Sequence, residues 1–115
     1  MPADRQSRPA EADLWTIRPA GAQAKKQWQR AMEAEPELME KERHRLRERP
    51  LDRDANPRRT HQLRGPLGSR TISGKKLPQW QHEITGAGRV WYCPDKEVRV
   101  VWVTYVSLQH PQLTD

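Results

Sequence analysis

The chain has 115 residues, room for one domain with a modest core, and its charged residues (31%) nearly equal its hydrophobic ones (34%). No apolar run approaches the roughly 20 residues that span a membrane, Met1-Pro2-Ala3-Asp4-Arg5 lacks the apolar stretch of a signal peptide, and a single cysteine, Cys93, excludes an intrachain disulfide. These features point to the cytoplasm and no membrane. The net charge of +6 is concentrated between residues 58 and 92, where Arg58, Arg59, Arg64, Arg70, Lys75, Lys76 and Arg89 face Glu83 alone; elsewhere the charges cancel. So focused an excess attracts phosphates and steers association with a polyanion.

Residues 1–13 are polar, hold two prolines and show no periodicity, as expected of a disordered tail ahead of a single domain over 14–115. Leu14-Trp15-Thr16-Ile17-Arg18, bounded by Pro19, reads as a short first strand. From Gly21 to Glu35, Ala24, Trp28, Ala31 and Met32 recur at helical spacing on one face. Pro36 breaks this helix and suits the first turn of the next, which runs to about Arg49 with a thin apolar stripe of Leu38, Met39 and Leu46. The pairs Glu37–Lys41, Glu40–Arg43 and Glu42–Arg45 support it locally, and the charge run reads as a solvated helix face. The two form a helical hairpin.

A polar loop over 50–60 follows, and the period then becomes strand-like. One or two short strands fall between Leu63 and Ile72, interrupted by Gly65-Pro66 and Gly68, and Gly74-Lys75-Lys76 reads as a turn. In Gln79–Thr85, Trp80, His82 and Ile84 alternate with Gln79, Gln81 and Glu83, a strand with one polar face. Gly86-Ala87-Gly88 turns the chain into the strand Arg89–Cys93, and Pro94-Asp95-Lys96-Glu97 turns it again. Val98–Val106, long and apolar, is expected at the centre of the sheet. The order predicts an α+β fold, with the hairpin packed on one face of a twisted antiparallel sheet of about four to five strands.

His44, His61, His82, His110 and Cys93 show no paired ligand spacing, so no metal is expected, and no phosphate loop, dinucleotide fingerprint or nucleophile elbow calls for a cofactor. Cys93 reads as a small buried hydrophobe. What remains is a set of basic and imidazole residues on strands: His61, Arg64, Arg70, His82, Arg89 and His110. Metal-free RNA cleavage needs a base for the 2′-hydroxyl, donors for the charged phosphorane and an acid for the leaving oxygen. Imidazole and guanidinium supply these. Trp80, Trp91, Trp102, Tyr92 and Tyr105 are candidates to stack on unpaired bases, although Trp91 and Trp102 fill core volume more readily in a chain without phenylalanine.

Leu63-Arg64-Gly65, Gly88-Arg89-Val90-Trp91-Tyr92 and a long apolar strand ending near Leu108-Gln109-His110-Pro111, behind a helical hairpin carrying Trp28, together resemble the RelE/ParE toxin superfamily over residues 14 to 114. The resemblance implies the toxin half of a type II toxin–antitoxin pair, with a cognate antitoxin as partner. It implies either a metal-independent endoribonuclease that cleaves messenger RNA on the ribosome and inhibits translation, or, in the ParE branch, a DNA gyrase inhibitor. Arg89 falls at the family's phosphate-contacting arginine and His110 at its terminal acid or charge-stabilising position. Where some members carry a glutamate base, this chain reads Asn56-Pro57-Arg58-Arg59, and no tyrosine follows the last strand. His61 and His82 are the expected substitutes. Arg58, Arg59, Arg64, Arg70, Lys75 and Lys76 are the expected RNA contacts. A non-catalytic RNA-binding module accounts for the same basic surface.

Overall fold

The computed structural model describes residues 13–51 and 59–108. Among these the order is β1 (Thr16–Pro19), α1 (Ala22–Ala34), α2 (Pro36–Glu48), β2 (Thr60–Gln62), β3 (Ser69–Ile72), β4 (Lys75–Pro78), β5 (Trp80–Glu83), β6 (Arg89–Asp95) and β7 (Val100–Ser107), with a 3-10 turn at Gly65–Gly68. Of the expected tail only Asp13 lies within the described residues.

The helices follow from their spacing. Ala24 and Ala31 are buried, and Trp28 and Met32 half-buried, on the inner side of α1. Glu35 ends α1 and begins α2, with Pro36 in the first turn, where its missing N–H has no helical partner to lose. Glu37 at the start of α2 and Arg45 and Arg47 at its end complement the helix dipole. Met39 and Leu46 are fully buried. They join Trp15, Ala31, Ile84, Val90, Tyr92, Val101, Val103 and Val106 in the main core, between the helices and one face of the sheet. Each such aliphatic side chain stabilises the fold by about 1.5–3 kcal/mol through burial.

The five-stranded sheet has the order β1-β7-β6-β5-β2. Its β2–β5, β5–β6 and β6–β7 pairs are antiparallel, but β1 runs parallel to β7, with Ile17 opposite Val101. The sheet is therefore mixed, where an antiparallel one was expected. The chain crosses over the helices and the whole meander before β7 returns beside β1, and such a long connection permits the parallel sense. β7 is interior, but the middle position belongs to β6.

Two turns also differ from expectation. Ile72 pairs with Lys75, so the turn is Ser73-Gly74, both at positive φ (52° and 80°), as a tight hairpin of this twist requires. Lys75 and Lys76 therefore open β4. At the far end β6 continues through Pro94 and Asp95, which pair with Val101 and Val100. Proline is tolerated there because the β5 pairing of β6 stops at Tyr92. The β3–β4 hairpin packs over part of the sheet face remote from the helices. Its Ile72 and Leu77 meet Cys93, with Trp102 and Ala20 at the margin.

The β6–β7 ladder changes register between Trp91 and Tyr92: Tyr92 pairs with Val103, but Trp91 pairs with Tyr105. Thr104 is the extra residue of a bulge. The shift puts Val106 into the core beside Val103 and leaves Tyr105 across from Trp91 on the other face.

Candidate nucleic-acid interface

Cross-strand partners share a face, so the registers sort the side chains. Thr60, His82 and Val90 align on the helix side; His61, Gln81, Trp91 and Tyr105 align on the other. Glu83, Arg89 and Ser107 extend this second row. All seven side chains of this second row are half-exposed. Trp91 and Tyr105 form a tilted pair, ring centroids 4.9 Å apart and planes at 42°. Trp91 Nε1 donates to Gln81 Oε1 at 2.8 Å, which fixes the indole across the strands.

The expected cations divide into free and engaged groups. Arg64, Arg70 and Lys76 are exposed and form no ion pair with another described residue. Arg64 precedes the 3-10 turn, Arg70 lies on β3 and Lys76 on β4. Lys75, expected to meet RNA, is instead held by Asp95 (3.0 Å) and Glu97 (2.7 Å). Hydrogen bonds to Glu97 and Asp95 raise its pKa and favour the pair. Arg59 donates to the carbonyls of Glu83 (2.7 Å) and Ile84 (2.9 Å), tying the chain ahead of β2 to the end of β5. Arg58 lies outside the described residues.

The expected catalytic residues are also dispersed. His61 stands on the open face, on edge strand β2. Arg89 borders the same face, but its Nη1 donates to the carbonyls of Thr85, Gly86 and Gly88 (3.3, 3.2 and 3.0 Å), and its Nη2 lies 3.9 Å from Glu83. It holds the β5–β6 turn together while bordering the interface. His110 lies outside the described residues.

His82, expected beside His61 as a substitute base, is placed on the other side of the sheet from it. It is 9% exposed, on the helix side, within a buried polar cluster. Its Nδ1 lies 2.6 Å from Thr60 Oγ1, and its Nε2 lies 3.4 Å from Glu42 Oε1. The consistent tautomer carries its proton on Nε2, toward the carboxylate, with Nδ1 accepting from Thr60. Burial, together with the charges of Arg45 and Arg59, lowers its pKa to about 3. A ring so placed is neutral at physiological pH and shielded from a substrate on the other face.

The rest of this cluster shows why α2 is more than a solvated charge run. Glu42 is 4% exposed, and Arg45 grips it through Nη2 (3.0 Å) and Nε (3.2 Å). Burial raises the Glu42 pKa, and the Arg45 charge opposes that rise. Burial disfavours the guanidinium too, but Glu42 and Tyr92 outweigh it and hold the Arg45 pKa above its ordinary value. Tyr92 donates its hydroxyl to the Pro50 carbonyl at 2.8 Å and accepts from Arg45 at 3.4 Å. Cys93 is fully buried on the hairpin side, and burial pushes its thiol up to about 11, so it is inert as a nucleophile.

Among the described residues no group of three or more His, Cys, Asp or Glu side chains could hold a metal ion, and no helix is long and apolar enough to cross a membrane. The arrangement suits contact with a polyanion: a half-exposed aromatic and polar strip on the sheet, with exposed cations after β2 and on the β3–β4 hairpin. The polar alternation of Gln81 and Glu83 marked this strip in the sequence, whereas Gln79, expected on the same polar face, is buried, and the Trp91–Tyr105 pairing depends on the bulge, which no local pattern announced. The chain matches no family model, no curated protein and no solved structure.

Proposed function

We propose that this protein binds RNA through the strip on β2, β5, β6 and β7, and that it acts as a RelE-like toxin, a metal-independent endoribonuclease directed at messenger RNA on the ribosome. The observation that carries the reading is the distribution of free charge. Arg64, Arg70 and Lys76, exposed and unpaired among the described residues, lie after β2 and on the β3–β4 hairpin, whose Ile72 and Leu77 pack against the sheet that carries His61, Trp91 and Tyr105. Phosphate contacts by such residues supply affinity, and flanking side chains position the strand. His61 is the described imidazole with access to that face. It would serve as base, with Arg89 bordering the phosphate and His110 as acid. A cognate antitoxin would offset the same cations, and salt would weaken that pair.

A second reading, a non-catalytic RNA-binding module, is favoured by two placements. His82 is neutral and buried, and Arg89 is largely engaged by turn carbonyls. Inducible expression in a bacterial host, with mapping of messenger-RNA 5′ ends, separates the readings. The nuclease predicts growth arrest with new ends inside translated codons. Both should be lost in His61→Ala and His110→Ala variants, with rates falling by about 100-fold or more. Arrest that survives both substitutions without new ends removes the nuclease and leaves binding alone, while filamentation with DNA damage moves the target to gyrase.

A further inference from the structure

We propose that Trp91 and Tyr105 form a stacking platform for an unpaired nucleobase, so that the RNA taken by this face is single-stranded; this rests on the RNA-binding reading above. Of the five aromatic residues on strands, three are otherwise occupied. Tyr92 is fully buried and bonded to Pro50, Trp80 packs against the main core, and Trp102 packs against the hairpin. Trp91 and Tyr105, by contrast, are half-exposed and join neither core cluster.

The pair is built for contact beyond itself. A 42° tilt means that neither ring closes the other's face as a parallel sandwich would. Gln81 takes up the Trp91 N–H, so the polar edge of the half-exposed indole is satisfied. Among the described residues the Gln81 amide N–H group has no hydrogen-bond partner, which leaves it to donate to a base edge. The row from His61 through Gln81 and Trp91 to Tyr105 crosses four adjacent strands, roughly 14 Å at the usual strand spacing. Arg70 is exposed on β3, the strand whose Ile72 packs against Cys93, two residues along β6 from Trp91.

The chemistry selects the substrate class. In a duplex the bases are already stacked and paired, and a sheet face meets phosphates and 2′-hydroxyls only. An unpaired strand can splay a base onto an aromatic side chain while its phosphates meet exposed cations. The bulge at Thr104 is the device that makes this possible, because it brings Tyr105 opposite Trp91. A pair serving only as cross-strand packing would stabilise the sheet without discriminating between RNA forms.

Fluorescence anisotropy with a labelled single-stranded oligoribonucleotide and with its duplex tests the proposal. Wild type should prefer the single strand. Trp91→Leu and Tyr105→Leu keep apolar volume and remove the π-face. Each should weaken single-strand binding by about tenfold and leave duplex binding unchanged. Thermal unfolding checks each fold, and either variant suffices if the other unfolds. A combined Arg64→Gln, Arg70→Gln, Lys76→Gln variant should weaken both forms and reduce the salt slope by about two. Loss in that variant, with both leucine variants binding as wild type or with no single-strand preference, overturns the platform and spares the RNA-binding reading. Wild type that binds neither form overturns both.

Discussion

Replacing Arg45 with methionine is expected to lower folding stability by about 3–5 kcal/mol. The guanidinium is the main counter-charge to Glu42, which is 4% exposed and meets it at 3.0 Å. Without it the carboxylate faces a neutral His82 at 3.4 Å and the core side chains Met39 and Leu46. Burying an unpaired charge is far more costly than exchanging the pair for apolar groups. The double replacement Glu42→Leu, Arg45→Met should therefore recover most of the loss, the more so because Arg45 Nη1 is buried without a hydrogen-bond partner among the described residues. A small domain has about 5–15 kcal/mol in total, so the single variant should sit near its unfolding transition under ordinary conditions. Urea denaturation reads both variants. A single variant with the wild-type midpoint would show that the pair is not coupled to folding.

Local patterns carried the helices and most strands. Ala24, Trp28, Ala31 and Met32 marked the inner face of α1, and Pro36 marked the break, because helical periodicity and the missing proline N–H act within a few residues. The parallel partnership of β1 was not legible in that way. A four-residue edge strand has little alternation to display, and its neighbour is decided by a contact more than eighty residues away, Thr16 with Val100. The character of α2 was hidden for the same reason. Glu42 and Arg45 look like a solvated pair at helical spacing, and only Tyr92 and His82, brought over them by the sheet, make the pair buried.

His82 is the instructive case for the site. Its alternation with Trp80 and Ile84 already placed it on the apolar side of β5, which argues for burial, yet its residue type suggested chemistry. Position along the strand outweighed identity. Arg59, Lys75 and Arg89 teach the complementary lesson. Their charge was evident, but whether a cation is free depends on which carbonyls and carboxylates the fold brings to it. Arg64, Arg70 and Lys76 differ from them only in what lies nearby.

The same buried imidazole predicts how stability depends on acid. An unfolded histidine takes its proton near pH 6.5, but folded His82 takes it only at about 3. Above that window both states are neutral at this site, and below it both are protonated. Within it the unfolded state binds more protons, so stability must fall as pH falls from about 6.5 toward 3. One proton corresponds to about 1.4 kcal/mol per pH unit at most, and partial solvent access reduces the expected slope to about 1 kcal/mol per unit. Glu42 works in the opposite sense. Its raised pKa lets the folded state take a proton more readily, which stabilises it as acid is added. Burial and the charges of Arg45 and Arg59 keep the ring neutral, while the Tyr92 hydroxyl, its pKa raised by burial, does not titrate here. The informative quantity is therefore the difference between wild type and His82→Gln, whose amide can still meet Thr60 or Glu42 and cannot titrate. Urea midpoints taken from pH 7 to pH 4 should converge as the wild type loses its advantage. Parallel curves would mean that the folded ring accepts its proton as easily as the unfolded one, and that the cluster around it is open to water.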